Sequence, residues 1–332
     1  MTGTPPRRRG RKLVWGLLLA GAAIGGPMIA GAVARRRARP PHPVRWGRTR
    51  HYSGKLGEIT FQELDQTPGA TPLLLLHSLG PGHDADEWRA AAELLRARYH
   101  VFAPDLPGWG RSRGPAGGFH PAFYPEVIEE FLRRVVREPA VIVAAGLPAA
   151  FAVRVAATAP ELVRGLALVA PLGITGERGG EHAGAVLPSL LGLPVLRESV
   201  LDLLTSRSAL EGHLRGRVYA APERVDAALV EHHYRASHQP ASRQALAVYL
   251  RGEMWTDVEE VLPGLETPVW LAWGRAAAVP PVEDADLWLS RLAGSREEAG
   301  IEVFEGSGSL PHAERPAIFC RALDRFISGL PR

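Results

Sequence analysis

Short apolar runs alternate with helical stretches along most of this chain, and that alternation restricts the fold more than any other feature. Leu73-Leu74-Leu75-Leu76, after Thr71-Pro72, reads as a buried strand. Asp84–Arg98 follows as a helix, with Asp84 as cap and Glu87 as its capping-box partner. His100–Pro104 is the next strand, and Pro125–Val136 is an amphipathic helix opened by proline. Ala140–Ala145 is a strand, Pro148–Thr158 a helix and Gly165–Ala170 a strand. Residues 174–266 break the pattern: they are helical, rich in Leu, Arg and Pro, and hold no clear strand. Alternation resumes with strand Val269–Trp273, helix Glu283–Leu292, strand Ile301–Phe304 and helix Ala313–Ile327. The order predicts an α/β fold, a mostly parallel sheet with helices on both faces. Residues 174–266 are then a helical lid over the carboxyl edge of the sheet, where ligands bind in open α/β folds.

Charge divides the chain. Residues 1–50 hold 12 of the 39 basic residues and no acid, which leaves 27 basic against 35 acidic residues in 51–332. A nucleic-acid partner for that acidic domain is disfavoured. Between the two arginine clusters, Leu13–Ala34 carries no charge and is about 33 Å long as a helix, enough to span a bilayer. It is read as a single transmembrane helix with the lipid bilayer as partner. A cleaved signal peptide ending at Ala32-Val33-Ala34 is the rival, but Arg35-Arg36-Arg37 follows directly and resists translocation. Seven arginines downstream against five basic residues upstream tilt the domain toward the cytoplasm. The division is thus a basic arm, 1–50, and a globular domain, 51–332. The single cysteine, Cys320, excludes an internal disulfide and reads as core filler.

Five local motifs occur in a fixed order: His77-Ser78-Leu79-Gly80; Ala103-Pro104-Asp105-Leu106-Pro107-Gly108-Trp109-Gly110-Arg111-Ser112; Val169-Ala170-Pro171; Trp273-Gly274-Arg275; and Gly306-Ser307-Gly308-Ser309-Leu310-Pro311-His312. Together they resemble the α/β-hydrolase superfamily, in its lid-bearing members, over nearly all of residues 55–330. The resemblance implies that the first motif replaces a His-Gly oxyanion loop, with the N–H groups of Leu79 and Leu147 as the oxyanion hole. It also implies a nucleophile elbow after the strand Ala140–Ala145.

The catalytic letters are absent. The elbow reads Ala144-Ala145-Gly146-Leu147-Pro148, so Gly146 stands at the nucleophile position with no atom to attack anything. The acid position is Ala277, and no carboxylate appears before Glu283. The base position is Ser309, which accepts no proton near neutral pH. His312, three residues on, matches a second, structural histidine of the family. Ser78 as a nucleophile is disfavoured, because Leu76-His77-Ser78-Leu79-Gly80 follows the wrong strand. Ser309 as a displaced nucleophile has no evident base. Glu231-His232-His233-Tyr234-Arg235-Ala236-Ser237-His238 lacks ligand pairs at i, i+4, so no metal site is expected and these histidines are read as exposed. His83-Asp84-Ala85-Asp86 reads as loop and cap. No cofactor is expected.

The expectation is a membrane-anchored hydrolase-like protein without catalysis, acting as a small-molecule-binding or partner-docking module. Its pocket is expected to be mostly apolar, with His77, Ser78 and His312 among its walls and a small apolar ligand inside. The alternative is a weak ester or lipid hydrolase using other groups.

Overall fold

The computed structural model describes residues 46–64, 69–115, 118–120, 122–175, 186–293 and 299–331. Eight strands form one sheet: β1 Arg48–Gly54, β2 Gly57–Leu64, β3 Pro72–Leu76, β4 His100–Pro104, β5 Ala140–Ala145, β6 Val163–Val169, β7 Val269–Gly274 and β8 Gly300–Phe304. Their spatial order is β1-β2-β4-β3-β5-β6-β7-β8. β1 pairs with β2, and β2 with β4, antiparallel; every other pair is parallel. The β1–β2 hairpin lies upstream of the expected alternation. β1 is mostly exposed, so it carries no apolar signal, whereas Ile59 and Phe61 of β2 are buried.

The helices are α1 Arg89–Leu95, α2 Phe123–Phe131, α3 Pro148–Thr158, α4 Val186–Gly192, α5 Pro194–Leu204, α6 Arg207–His213, α7 Ala227–Ser237, α8 Pro240–Leu250, α9 Ala285–Leu292, α10 Pro311–Glu314 and α11 Pro316–Ser328. Side chains alternate across a strand, and the two cores divide accordingly. Leu74, Leu76, Ile142 and Leu168 face α2, α3 and α9; Leu73, Leu75, Val141 and Val169 face α1 and α11. β3, β5 and β7 are buried along their whole length, as a sheet covered on both faces requires. Phe151 of α3 is wholly buried and stacks on Tyr124 at 4.9 Å. Phe151→Ala is expected to cost about 3–5 kcal/mol; a urea titration that leaves the midpoint unmoved refutes this packing.

The expected helix Asp84–Arg98 is instead a 3-10 turn, Ala85–Trp88, followed by the shorter α1. Asp84 does cap the turn, accepting from the Asp86 N–H at 3.0 Å. Glu87 does not close a capping box; its carboxylate turns inward to other donors, described below.

Helices α4–α8 lie between β6 and β7. Ser206 caps α6 and Asp226 caps α7, each accepting a backbone N–H from the first turn. α7 rests on the loop after β3. His233 Nδ1 donates to the Pro81 carbonyl at 2.9 Å, and a Cβ on Gly82 would stand 2.4 Å from the His233 carbonyl oxygen. Gly82, at φ +79°, is the residue that admits this approach. The insertion also meets the loop after β8, where Ser309 N–H donates to Val218 O at 2.9 Å. It therefore covers the carboxyl ends of the strands.

The membrane span read at Leu13–Ala34 lies outside the described residues. Among the described residues no helix is long and apolar enough to cross a membrane. The single-pass membrane localisation, and the cytoplasmic placement derived from it, are corrected on that finding.

Candidate functional site

β5 runs straight into α3 through Gly146, whose φ of +66° makes the sharp turn. Its N–H donates to Val169 O at 3.0 Å, and its carbonyl accepts from Ala149 and Leu172. A Cβ built on Gly146 meets one heavy atom within 4 Å, Ser78 Cβ at 3.5 Å. The position thus has room for a side chain and carries none.

A cavity of about 100 Å³ opens there, with Ser78, Leu79, Gly146, Leu147 and Ser309 on its walls. The N–H groups of Leu79 and Leu147 have no hydrogen-bond partner among the described residues. Ser309 Oγ donates to Val279 O at 3.1 Å. Ala277 is buried and is not a wall residue; the loops carrying it and Ser309 touch where Ala276 N–H donates to Ser307 O at 2.9 Å. The insertion contributes His213, Arg217 and Val218. Burial, with the charges of His83 and Arg217, lowers His213 to about 4. Leu79, Leu147, Leu172, Val218 and Leu310 make most of the wall apolar, and His83, His213, Arg217 and Tyr249 add polar groups to it.

His77 and His312 are not wall residues, contrary to expectation. The Leu106 N–H donates to His77 Nε2 at 3.0 Å, so the ring proton sits on Nδ1 and is given to Ser78 O at 2.7 Å. Nε2 thus ties the end of β3 to the end of β4, and Nδ1 fixes the ring within its own loop. His312 is fully buried, stacks on Trp88 at 3.7 Å, and lies 3.1 Å through Nε2 from Glu87 Oε1.

Glu87 is the hub that sequence reading missed. Its carboxylate accepts from the Ser78 N–H at 3.2 Å, from the Ser78 hydroxyl, from His83 Nδ1 at 2.7 Å and from His312. Burial pushes its carboxyl up, but the hydrogen bonds from His312 and His83 prevail and hold it well below the carboxylate range. Part of the signal was local, Ser78 and His83 lying within ten residues of Glu87, but Glu87 also has capping-box spacing from Asp84.

A second cavity, about 510 Å³, lies between α7, α10 and the turn before α1. On its wall His232 Nε2 is 3.0 Å from Asp84 Oδ1, and Arg111 reaches Asp84, Asp86 and Asp105 at 3.3–3.4 Å. His232 is therefore not an exposed helix histidine, and His233 and His238 are buried. Burial lowers the His232 pKa, yet Asp84 and Asp86 outweigh it and raise it to about 9. Asp84, Asp86 and His232 place ligand atoms within 4.8 Å of one another, the one grouping among the described residues able to hold a metal. The Arg111 guanidinium and the protonated His232 already supply the positive charge that a cation would bring.

This sheet order, with an elbow after β5 and a helical insertion after β6, defines the hydrolase class of α/β folds. Residues 73–322 match the model of the alpha/beta hydrolase family, and the chain belongs to that family. An uncharacterized protein of Mycobacterium tuberculosis is 28% identical over 264 residues, covering 77% of this chain and 74% of its own. A 2-hydroxymuconate semialdehyde hydrolase of Pseudomonas putida is 25% identical over 269 residues, covering 77% and 87%. The crystal structure of Cfl2 from Burkholderia cenocepacia superposes with a TM-score of 0.71 at 23% identity, over 86% of this chain and 98% of that one; it shares the fold.

Proposed function

We propose that this family member is a binding module in which the serine chemistry of the fold has been lost. Gly146 occupies the nucleophile position, Ala277 the acid position and Ser309 the base position. The observation that carries the reading is Gly146, a residue with elbow geometry, space for a side chain and no oxygen or sulfur. Turnover without a nucleophile and base is left to the oxyanion hole and to binding, which give about 10³–10⁴ over water in hydrolases stripped of their triads. That is below the 10⁶ or more of a working enzyme.

The ligand is a small acyl compound, a short-chain carboxylic acid or its ester. Its oxygen meets the N–H groups of Leu79 and Leu147, and its chain lies against Leu147, Leu172 and Val218. Arg217 favours a carboxylate over a neutral ester. A thermal-shift series with short-chain carboxylates tests this. Ligand at 100 times its Kd is expected to add about 2.7 kcal/mol, and Ser309→Phe, which fills the cavity, is expected to abolish the shift. If no carboxylate moves Tm, or if Ser309→Phe shifts like the wild type, the cavity is not the site.

A further inference from the structure

Ser78 faces Gly146 across the cavity. Its Cβ is the one heavy atom within 4 Å of a Cβ built on Gly146. Position 78 is where the resemblance puts the glycine of the oxyanion loop, and position 146 is where it puts the serine. The hydroxyl and the missing side chain have changed places across one small space.

The surroundings of Ser78 are those of a prepared hydroxyl rather than an idle one. Its O–H donates to Glu87 Oε2, and its Oγ lies 3.0 Å from His83 Nδ1. His83 Nδ1 is itself 2.7 Å from the same carboxylate oxygen, and His83 and Glu87 are both nearly fully buried. The N–H groups of Leu79 and Leu147, unpartnered among the described residues, line the same cavity.

We propose that Ser78 is a nucleophile that takes an acyl group from an activated ester bound in this cavity. Ser78 Oγ forms the bond to the acyl carbon, and the bond from that carbon to the alcohol or phenol oxygen breaks. The Ser78 proton passes to Glu87 Oε2, beside His83, and from there to the departing oxygen. The N–H groups of Leu79 and Leu147 hold the tetrahedral oxyanion. The arrangement is not a linear triad: serine and imidazole meet the carboxylate on one oxygen, and the carboxylate takes the proton. With four donors already on it, Glu87 is a weak base, so acylation is slow and gives an acyl-serine in place of rapid turnover. The inference goes beyond the binding reading and uses the same cavity.

The full chain is incubated with p-nitrophenyl acetate and, separately, with a fluorophosphonate probe, then digested with trypsin. Peptide Leu56–Arg89 contains Ser78 as its only serine. The expected result is a single acetyl or phosphonyl group on that peptide at Ser78. Ser78→Ala and Ser78→Gly are expected to abolish it. Glu87→Gln is expected to slow it about 10²-fold, the low end for loss of a positioned base. No label on Ser78 of the folded wild type, or equal labelling of that peptide in Ser78→Gly, overturns the proposal. A carboxylate thermal shift that survives in Ser78→Gly while the label is lost separates acylation from binding. If wild type and Ser78→Gly show that shift and neither is labelled, the acylation proposal alone falls.

Discussion

Gly146→Ser, Ala277→Asp and Ser309→His, introduced together, are expected to raise hydrolysis of p-nitrophenyl acetate by at least about 10²-fold in kcat/KM, the low end of what a positioned base contributes. A Cβ at 146 meets Ser78 Cβ at 3.5 Å, ordinary van der Waals contact, so the first atom of a serine side chain displaces no neighbour. Its cost is backbone strain at φ +66°, about 1–3 kcal/mol for a residue other than glycine. Residues 146 and 309 share the cavity, and the loop of Ala277 touches that of Ser309 where Ala276 N–H donates to Ser307 O. The three changes act as a unit, so the singles are expected to do little. Gly146→Ser alone supplies the elbow oxygen without its histidine, and Ser309→His alone the histidine without the elbow oxygen. Brisk hydrolysis by the wild type itself would mean that the assigned positions are wrong. A folded triple variant no faster than wild type would mean that the loops do not bring residues 146 and 309 within reach.

What was legible in the sequence was local. The fully buried strands β3, β5 and β7 are apolar runs, and the elbow is legible because its geometry is set by five consecutive residues. β1 was not, since its side chains mostly face solvent and its pairing is specified by β2. The inward turn of Glu87 was hidden because Asp84 and Glu87 have capping-box spacing. The deciding partner, His312, is 225 residues away. His232 read as an exposed residue because its helical neighbours at i+4 offer nothing. Its partner Asp84 is 148 residues distant, and the pair forms when α7 settles on the loop after β3. The resemblance puts His77 and His312 in the loops that border the cavity, whereas both rings are fully buried within those loops.

The histidines of the insertion make stability depend on pH, with a maximum expected near pH 6.5. Burial, then the charges of His83 and His232, lowers His233 from 6.5 to about 3; His213 is lowered to about 4. Between pH 6.5 and about 4 the unfolded chain binds protons that these two native rings refuse. Stability therefore falls with acidification, by about 2.7 kcal/mol per pH unit for two protons. His238, also lowered by burial, steepens the same limb. Asp84 and Glu87, held low in the native state, add to the loss only below the ordinary carboxylate range. His232 acts in the opposite sense. Its native pKa of about 9 lies above the unfolded value, so its contribution is complete below pH 6.5 and is lost as pH rises through 9. One proton gives about 1.4 kcal/mol per pH unit on that side, half the acid slope. Urea midpoints measured from about pH 5 to about pH 9 are expected to trace this asymmetric curve. His232→Gln is expected to flatten the alkaline limb, and His233→Asn, which retains a donor toward Pro81 O, to lower the acid slope by about 1.4 kcal/mol per pH unit. A symmetric curve, or an alkaline limb unchanged in His232→Gln, would mean that the contact between α7 and Asp84 does not hold the insertion on the sheet.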